Sequence, residues 1–470
     1  MKRLYYQITL SIFASVIWFT LSFFFLIGSG KNWNNTAIHI LMMLLFSNFM
    51  LWWTVFDKET KPIQLMFWFF HVNIMFFPAL SQVLNNSFYW YPYNPELYDK
   101  STLFDASGLI TIGISSFAIG TWLNSALMKK NNLITQKGWL TSQIRATRSS
   151  RILLLVLAML QAGFILYFGY EYYMGTRLSI TTYSRTLSLV EQGFSFNLPR
   201  SIGLGSLLFL VVLLRHQWKQ KNRFSLEIVL ILMLILGTNF IINFPLGLAR
   251  FWIFGFLTSI IFILIPLRTP FLRAAFIMGY SIAQFTIFPW FSLITRNITG
   301  LKDFSLVAIR NYLQHGDFDT FQQMVNITSY LHDSGFEYGR NILSVILFFI
   351  PRSLWEKADP LGPAAAEYMG YGFTNLSAPI HAELYADFGL VSLILGMALL
   401  GIWTTQLDHT YHKLINAEET GMGLVVIAVI AGFMLIVLRG SLLGIIPGIS
   451  VLLGTLLILG LSAIQWRKTI

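Results

Sequence analysis

About twelve uncharged apolar runs recur along the chain, near 5–28, 37–56, 62–84, 107–128, 152–170, 201–214, 224–242, 251–267, 274–291, 388–407, 422–438 and 445–464. Most are long enough to cross a bilayer as a helix. The pattern predicts an all-α polytopic membrane protein with about 12 transmembrane helices. The first run follows Lys2 and Arg3, as a signal peptide would, but its length and the lack of a small-residue cleavage site after Leu26 predict an uncleaved helix. The chain then divides into 1–291, nine helices with an outer loop at about 171–200; 292–387, a large extracytoplasmic loop; and 388–470, three more helices.

Inside the large loop the period changes. Phe318, Phe321, Met324, Val325 and Leu331 recur at spacings of three and four, which predicts an amphipathic helix lying over the membrane surface, with a second from Phe304 to Leu313. Asp317 stands where an N-cap or first-turn acid would, and Ser334-Gly335 ends the run. Asn341 to Ile350 is too short to span and reads as an interfacial or re-entrant piece.

Composition agrees: 55% hydrophobic residues, 11% charged and a mean hydropathy of +0.63 place the chain far outside the soluble range. There is no cysteine, so disulfides, thiolate nucleophiles and sulfur-ligated zinc are excluded. The +11 net charge is concentrated on one side of the predicted helices, in the N-terminal Lys2 and Arg3 and the segments Lys129 to Arg151 and Arg215 to Arg223. That is the positive-inside pattern rather than a nucleic-acid footprint, and it predicts that both termini are cytoplasmic. The outer cations are mostly arginine. Guanidinium groups suit phosphate or carboxylate at a partly desolvated site, so the outer arginines point to an anionic ligand, or else pair with outer carboxylates. Ionisable groups are nearly absent from the apolar runs, whereas an ion-coupled transporter keeps them near the midplane. An outward-facing enzyme or receptor fits better than a pump.

The order of motifs resembles the Wzy-type O-antigen and oligosaccharide repeat-unit polymerases. The motifs are NFPLGLARF (Asn243 to Phe251), HGDFD (His315 to Asp319), IPRSLW (Ile350 to Trp355) and HAELYADFG (His381 to Gly389), and the resemblance covers roughly residues 170–445. EKADP follows Trp355 where a tighter Trp-x-x-Lys-Pro is expected, a departure that bears on Lys357. The resemblance implies a multi-pass glycosyltransferase of the bacterial inner membrane with its site facing the outside. Its donor and acceptor would be oligosaccharides on undecaprenyl diphosphate, with a chain-length regulator and a repeat-unit flippase as partners. A lipid-linked glycan ligase, a flippase and a non-catalytic glycan-binding assembly subunit remain as alternatives.

Such chemistry needs a base for the acceptor hydroxyl and cations for the leaving diphosphate. Glu383 is the first candidate base, because Asp387 four residues on would raise its pKa; His381 lies beside it, and His315 and Asp317 are the second choice. Arg177, Arg185, Arg250, Arg352 and Arg439 are candidates for the diphosphate. Trp90, Tyr91, Trp355 and Tyr385 are candidates for glycan platforms, although Trp and Tyr also collect at membrane interfaces as anchors. Asp317 and Asp319 resemble a metal-holding Asp-x-Asp, but acids two apart on a helix diverge and no third ligand is evident. No metal or other cofactor is expected.

Overall fold

A computed structural model describes residues 2–27, 33–90, 98–130, 144, 146–175, 196–219, 226–295, 312–417 and 421–463. Each apolar run coincides with a helix. In chain order these are α1 (Lys2–Ile27), α2 (Asn35–Phe56), α3 (Pro62–Asn85), α4 (Lys100–Lys130) and α5 (Arg148–Phe168), followed by the single turn α6 (Tyr170–Met174). Next come α7 (Leu198–Lys219), α8 (Leu226–Ile242), α9 (Arg250–Leu264) and α10 (Pro270–Thr295). The large loop contributes α11 (Thr320–Ser334), α12 (Arg340–Ile346), α13 (Leu361–Tyr368) and α14 (Ile380–Phe388), and α15 (Leu390–Asn416), α16 (Met422–Arg439) and α17 (Leu442–Ala463) complete the order. Among the described residues ten helices are long and apolar enough to cross a membrane; α9 is apolar but only 15 residues long. The 26-residue α1 leans on α2, where Asn48 donates to the Ser15 carbonyl at 2.9 Å.

Local chemistry sets the helix ends. Asn34 caps α2 by accepting from the Ala37 N–H at 2.8 Å, and Thr147 caps α5 by accepting from Ser150 at 3.1 Å. At the start of α3, opened by Pro62, the N–H groups of Ile63 and Gln64 donate to the Asp408 carboxylate on α15, at 2.8 and 3.1 Å. Small residues let backbones approach. A Cβ on Gly120 of α4 would fall 2.1 Å from the Ala398 carbonyl oxygen on α15, and one on Gly432 of α16 would fall 2.5 Å from that of Gly255 on α9.

The helices share two ends. At one, Thr60 donates to the Leu267 carbonyl at 3.2 Å, Arg268 reaches the Ile415 carbonyl at 2.5 Å, and buried Arg273 donates to the carbonyls of Val55 and Leu267. Lys61, Arg268 and Arg273, basic residues expected on the inside, gather there. The opposite end holds Arg250, Arg439 and the loop helices.

Two expectations for the loop need correction. α11 does not lie over a surface, because every residue from Thr320 to Ile327 is buried. Its polar face meets protein rather than water: Gln322 donates to the Tyr98 hydroxyl at 2.7 Å, and Asn326 accepts from the hydroxyls of Tyr98 and Tyr371. The segment to 387 is also not wholly outside the bundle. α14 folds back along α15 at Gly389, whose φ of 63° falls in the left-handed region that favours glycine, and Leu384 seats over Gly396. α14 therefore carries His381 down to His71, about halfway along α3, where the rings meet edge-on at 5.2 Å. A π-helical turn, His71–Phe76, begins at that contact. The Phe304 to Leu313 helix falls mostly outside the described residues.

Candidate functional site

The site is built on the turn between Tyr312 and Thr320. Arg250, the first residue of α9 after the Pro245–Gly247 turn, is 8% exposed and points its fork at Asp317. Nη1 donates to Oδ2 at 2.7 Å and Nη2 to Oδ1 at 2.6 Å, a bidentate pair, while the guanidinium lies 5.0 Å from the Phe288 ring centre. Nη1 also meets the Tyr312 hydroxyl at 2.9 Å, and that hydroxyl donates to Asp317. Burial pushes the Asp317 carboxyl up, but Arg250, His315 and Tyr312 together outweigh it and hold the group well below the ordinary carboxylate range. The expected helix-capping role does not hold, because Asp319 occupies the N-cap position of α11 and Asp317 sits in the 3₁₀ turn before it.

His315 is the more open member of this group, with a side chain 20% exposed. Its Nδ1 lies 3.4 Å from the Asp317 carboxylate and 3.4 Å from the Asp317 N–H. The ring is flanked by Tyr89 at 4.7 Å and Tyr312 at 5.1 Å. Gly316 makes the approach possible, since a Cβ there would fall 2.9 Å from the Tyr89 ring.

Asp319 faces the other way. Its carboxylate accepts from Trp90 Nε1 at 2.8 Å, from Gln323 at 3.1 Å and from Arg439 Nη2 at 3.0 Å. Arg439 also holds the Gly316 carbonyl at 3.0 Å and lies 4.7 Å from the Phe251 ring centre. Burial pushes the Asp319 carboxyl up, against the pull of Arg439. The two acids of the Asp-x-Asp thus diverge, each onto its own arginine. Among the described residues no three His, Asp or Glu side chains gather where a metal ion could be held.

Arg250 and Arg439, expected to meet a diphosphate, are therefore occupied by Asp317 and Asp319. Arg352 is 44% exposed, 3.8 Å from the Asp359 carboxylate and 3.5 Å from the Ala358 carbonyl. Lys357 donates to the Phe348 carbonyl at 2.6 Å. Trp355 lies in the turn after Pro351, and Tyr385 packs edge-on against Phe336. Tyr91, Arg177 and Arg185 lie outside the described residues.

Glu383 is 1% exposed, and both its oxygens are engaged: Asn341 Nδ2 donates to Oε2 at 2.7 Å and the Leu442 N–H to Oε1 at 3.0 Å. Its carboxyl is pushed up to about 7 chiefly by burial, and the repulsion from Asp387, expected to be the main cause, is a minor one. Asp387 is spent on the N-terminus of α12, accepting from Asn341 and Ile342 at 3.0 Å each. The ring nitrogens of His381 make no hydrogen bond.

Sequence reasoning missed Tyr312 and Asn341. A tyrosine five residues before an aspartate has no periodic signature, and Asn341 reads as an ordinary helix-start polar residue. The chain matches no protein-family model, no curated protein and no solved structure.

Proposed function

We propose that the protein is a glycosyltransferase that polymerises undecaprenyl-diphosphate-linked repeat units at the extracytoplasmic membrane face, with His315 as its general base. The observation that carries this reading is the His315–Asp317–Arg250 arrangement at the end of the bundle opposite the basic one, where a partly exposed imidazole has its Nδ1 beside a carboxylate held ionised. When Nδ1 carries its proton toward that carboxylate the other nitrogen is free to take one, and the carboxylate stabilises the imidazolium that forms. The acceptor hydroxyl oxygen bonds to the anomeric carbon of the donor, its proton passes to His315, and the carbon–oxygen bond to the diphosphate breaks, releasing the lipid diphosphate. Arg250 acts through Asp317 as a positioning residue. Arg352, the exposed arginine of the set among the described residues, is the cation assigned to the diphosphate. Glu383 is moved to a structural role, because both its oxygens already have donors.

Purified protein supplied with lipid-diphosphate repeat units tests the reading. Wild type is expected to yield a ladder of longer glycans, His315→Gln to slow it about 10²–10⁴-fold, and Glu383→Gln to retain most of it in whatever protein folds. No dimer of repeat units from wild type, with or without added divalent metal, overturns the polymerase reading. Transfer to a different acceptor identifies a ligase, and lipid movement without product a flippase.

A further inference from the structure

Beside His315 an aromatic surface is held rigid by polar groups that do not use its faces. The indole of Trp90 stacks on Phe373 with ring centres 5.6 Å apart and planes 6° from parallel, and Tyr89 meets it edge-on at 4.8 Å. Tyr89 is 40% and Phe373 36% exposed. Beneath them the fixing is complete. Trp90 donates its ring N–H to Asp319, its backbone N–H donates to Gln322 Oε1 at 3.2 Å, and its carbonyl accepts from the same amide. Gln322 and Asn326 are tied in turn to Tyr98 and Tyr371. Upstream, Asn86 at φ 45° ends α3 and turns the chain toward Tyr89, and Ser87 donates to Gln314 at 3.0 Å. Trp90 and Tyr89 need the missing side chain of Gly316, and a Cβ on Gly372 beside Phe373 would meet nothing within 4 Å. The shelf is supported from below and open alongside, with Thr374 and Asn375 exposed at its rim.

We propose that Tyr89, Trp90 and Phe373, with Thr374 and Asn375 at the edge, form a binding shelf for one uncharged pyranose ring. The occupant follows from the chemistry. Flat π faces accept the C–H face of a sugar ring, and a short polar rim suits its hydroxyls. Asp319, the carboxylate that Trp90 contacts, is already paired with Arg439, so neither charge is free for an anionic ring. Interfacial anchoring in lipid is the competing use of the same rings, and it requires no parallel stack and no buried amide support. The kinetic part of the test rests on the glycosyltransferase reading; the binding part does not.

The probe is a panel of methyl glycosides of neutral hexoses and N-acetylhexosamines, observed by saturation-transfer NMR on the full-length protein in deuterated detergent. Saturation is expected on the C–H face of at least one glycoside. Phe373→Ala and Tyr89→Ala should each weaken binding about tenfold, the scale of losing one aromatic contact, while Phe373→Trp retains it. Trp218→Ala, exposed at the other end of the bundle, should change nothing. If no glycoside is saturated, or if Trp218→Ala lowers the signal as much as Phe373→Ala, the shelf is an interfacial anchor and the proposal fails. In the polymerisation assay Phe373→Ala should raise KM for the acceptor with kcat nearly unchanged. A wild type that polymerises while Phe373→Ala keeps its KM overturns the shelf alone, whereas a wild type that binds glycosides but makes no product overturns only the glycosyltransferase reading.

Discussion

Two buried carboxylates at the same end of the molecule, Asp317 and Glu383, differ in charge because they differ in partners. Asp317 has a guanidinium on both oxygens and stays ionised; Glu383 has one amide and one backbone N–H, neither charged, and burial dominates. Its carboxyl lies at about 7 in the folded protein against 4.5 ordinarily, so the folded state holds the proton more tightly. The stability linked to it is fully present below 4.5 and is lost as pH rises through 7. Glu383→Gln should therefore flatten the fall in Tm between pH 5 and 8, measured by thermal unfolding in detergent, and an unchanged slope would refute the assignment. At the other pair, Arg250→Lys keeps the charge but loses the fork, at a cost of about 1.5–3 kcal/mol. Asp317→Asn leaves a buried guanidinium without a counter-charge and should cost more, about 3–5 kcal/mol. Denaturation of the two variants side by side checks the order.

At the scale of elements, what periodicity reveals is that two faces of a helix differ, not what covers them. The apolar spacing from Phe318 to Leu331 identified α11 correctly, but its amides Gln322, Gln323 and Asn326 read as water-facing when they in fact bond to Trp90, Tyr98, Asp319 and each other. α14 escaped for a related reason, since a polar helix that re-enters the bundle and one that lies outside it share the same pattern until the partners are known. The spanning helices were legible because twenty apolar residues in a row have few alternatives. Glycines carry the tight contacts. Gly389→Ala places a side chain at φ 63°, ψ −135°, with the Phe336 ring 3.1 Å away, and should cost about 1–3 kcal/mol. Gly120→Val drives a branched side chain into the α15 backbone and should reduce the yield of monodisperse protein further, as size-exclusion profiles would show.

The whole molecule has a basic end and an end that carries the candidate site, and the positive-inside rule predicts that the first is cytoplasmic. With no native cysteine, single cysteines can be labelled without background. Cysteine at exposed Ser334 should react with an impermeant maleimide in intact cells, and cysteine at Arg148 only after the inner face is opened; the reverse result would invert the topology. Of the site, the arginines, His315 and Trp90 could be named from the sequence as candidates for an anion, a base and a sugar. Their pairing could not, because Arg250 and Asp317 are 67 residues apart in sequence. The contact between α4 and α15 carries this separation further. About 260 residues lie between the end of one helix and the start of the other, roughly 15–50 s of synthesis at 5–20 residues per second. Throughout that interval the Gly120 face of α4 has been delivered to the membrane without the helix it is shaped for. A ribosome that stalls before Leu390 leaves a nascent chain with that groove open and Asp319 without Arg439. The site is thus among the last parts of the protein to come into existence, and a half-made molecule lacks it.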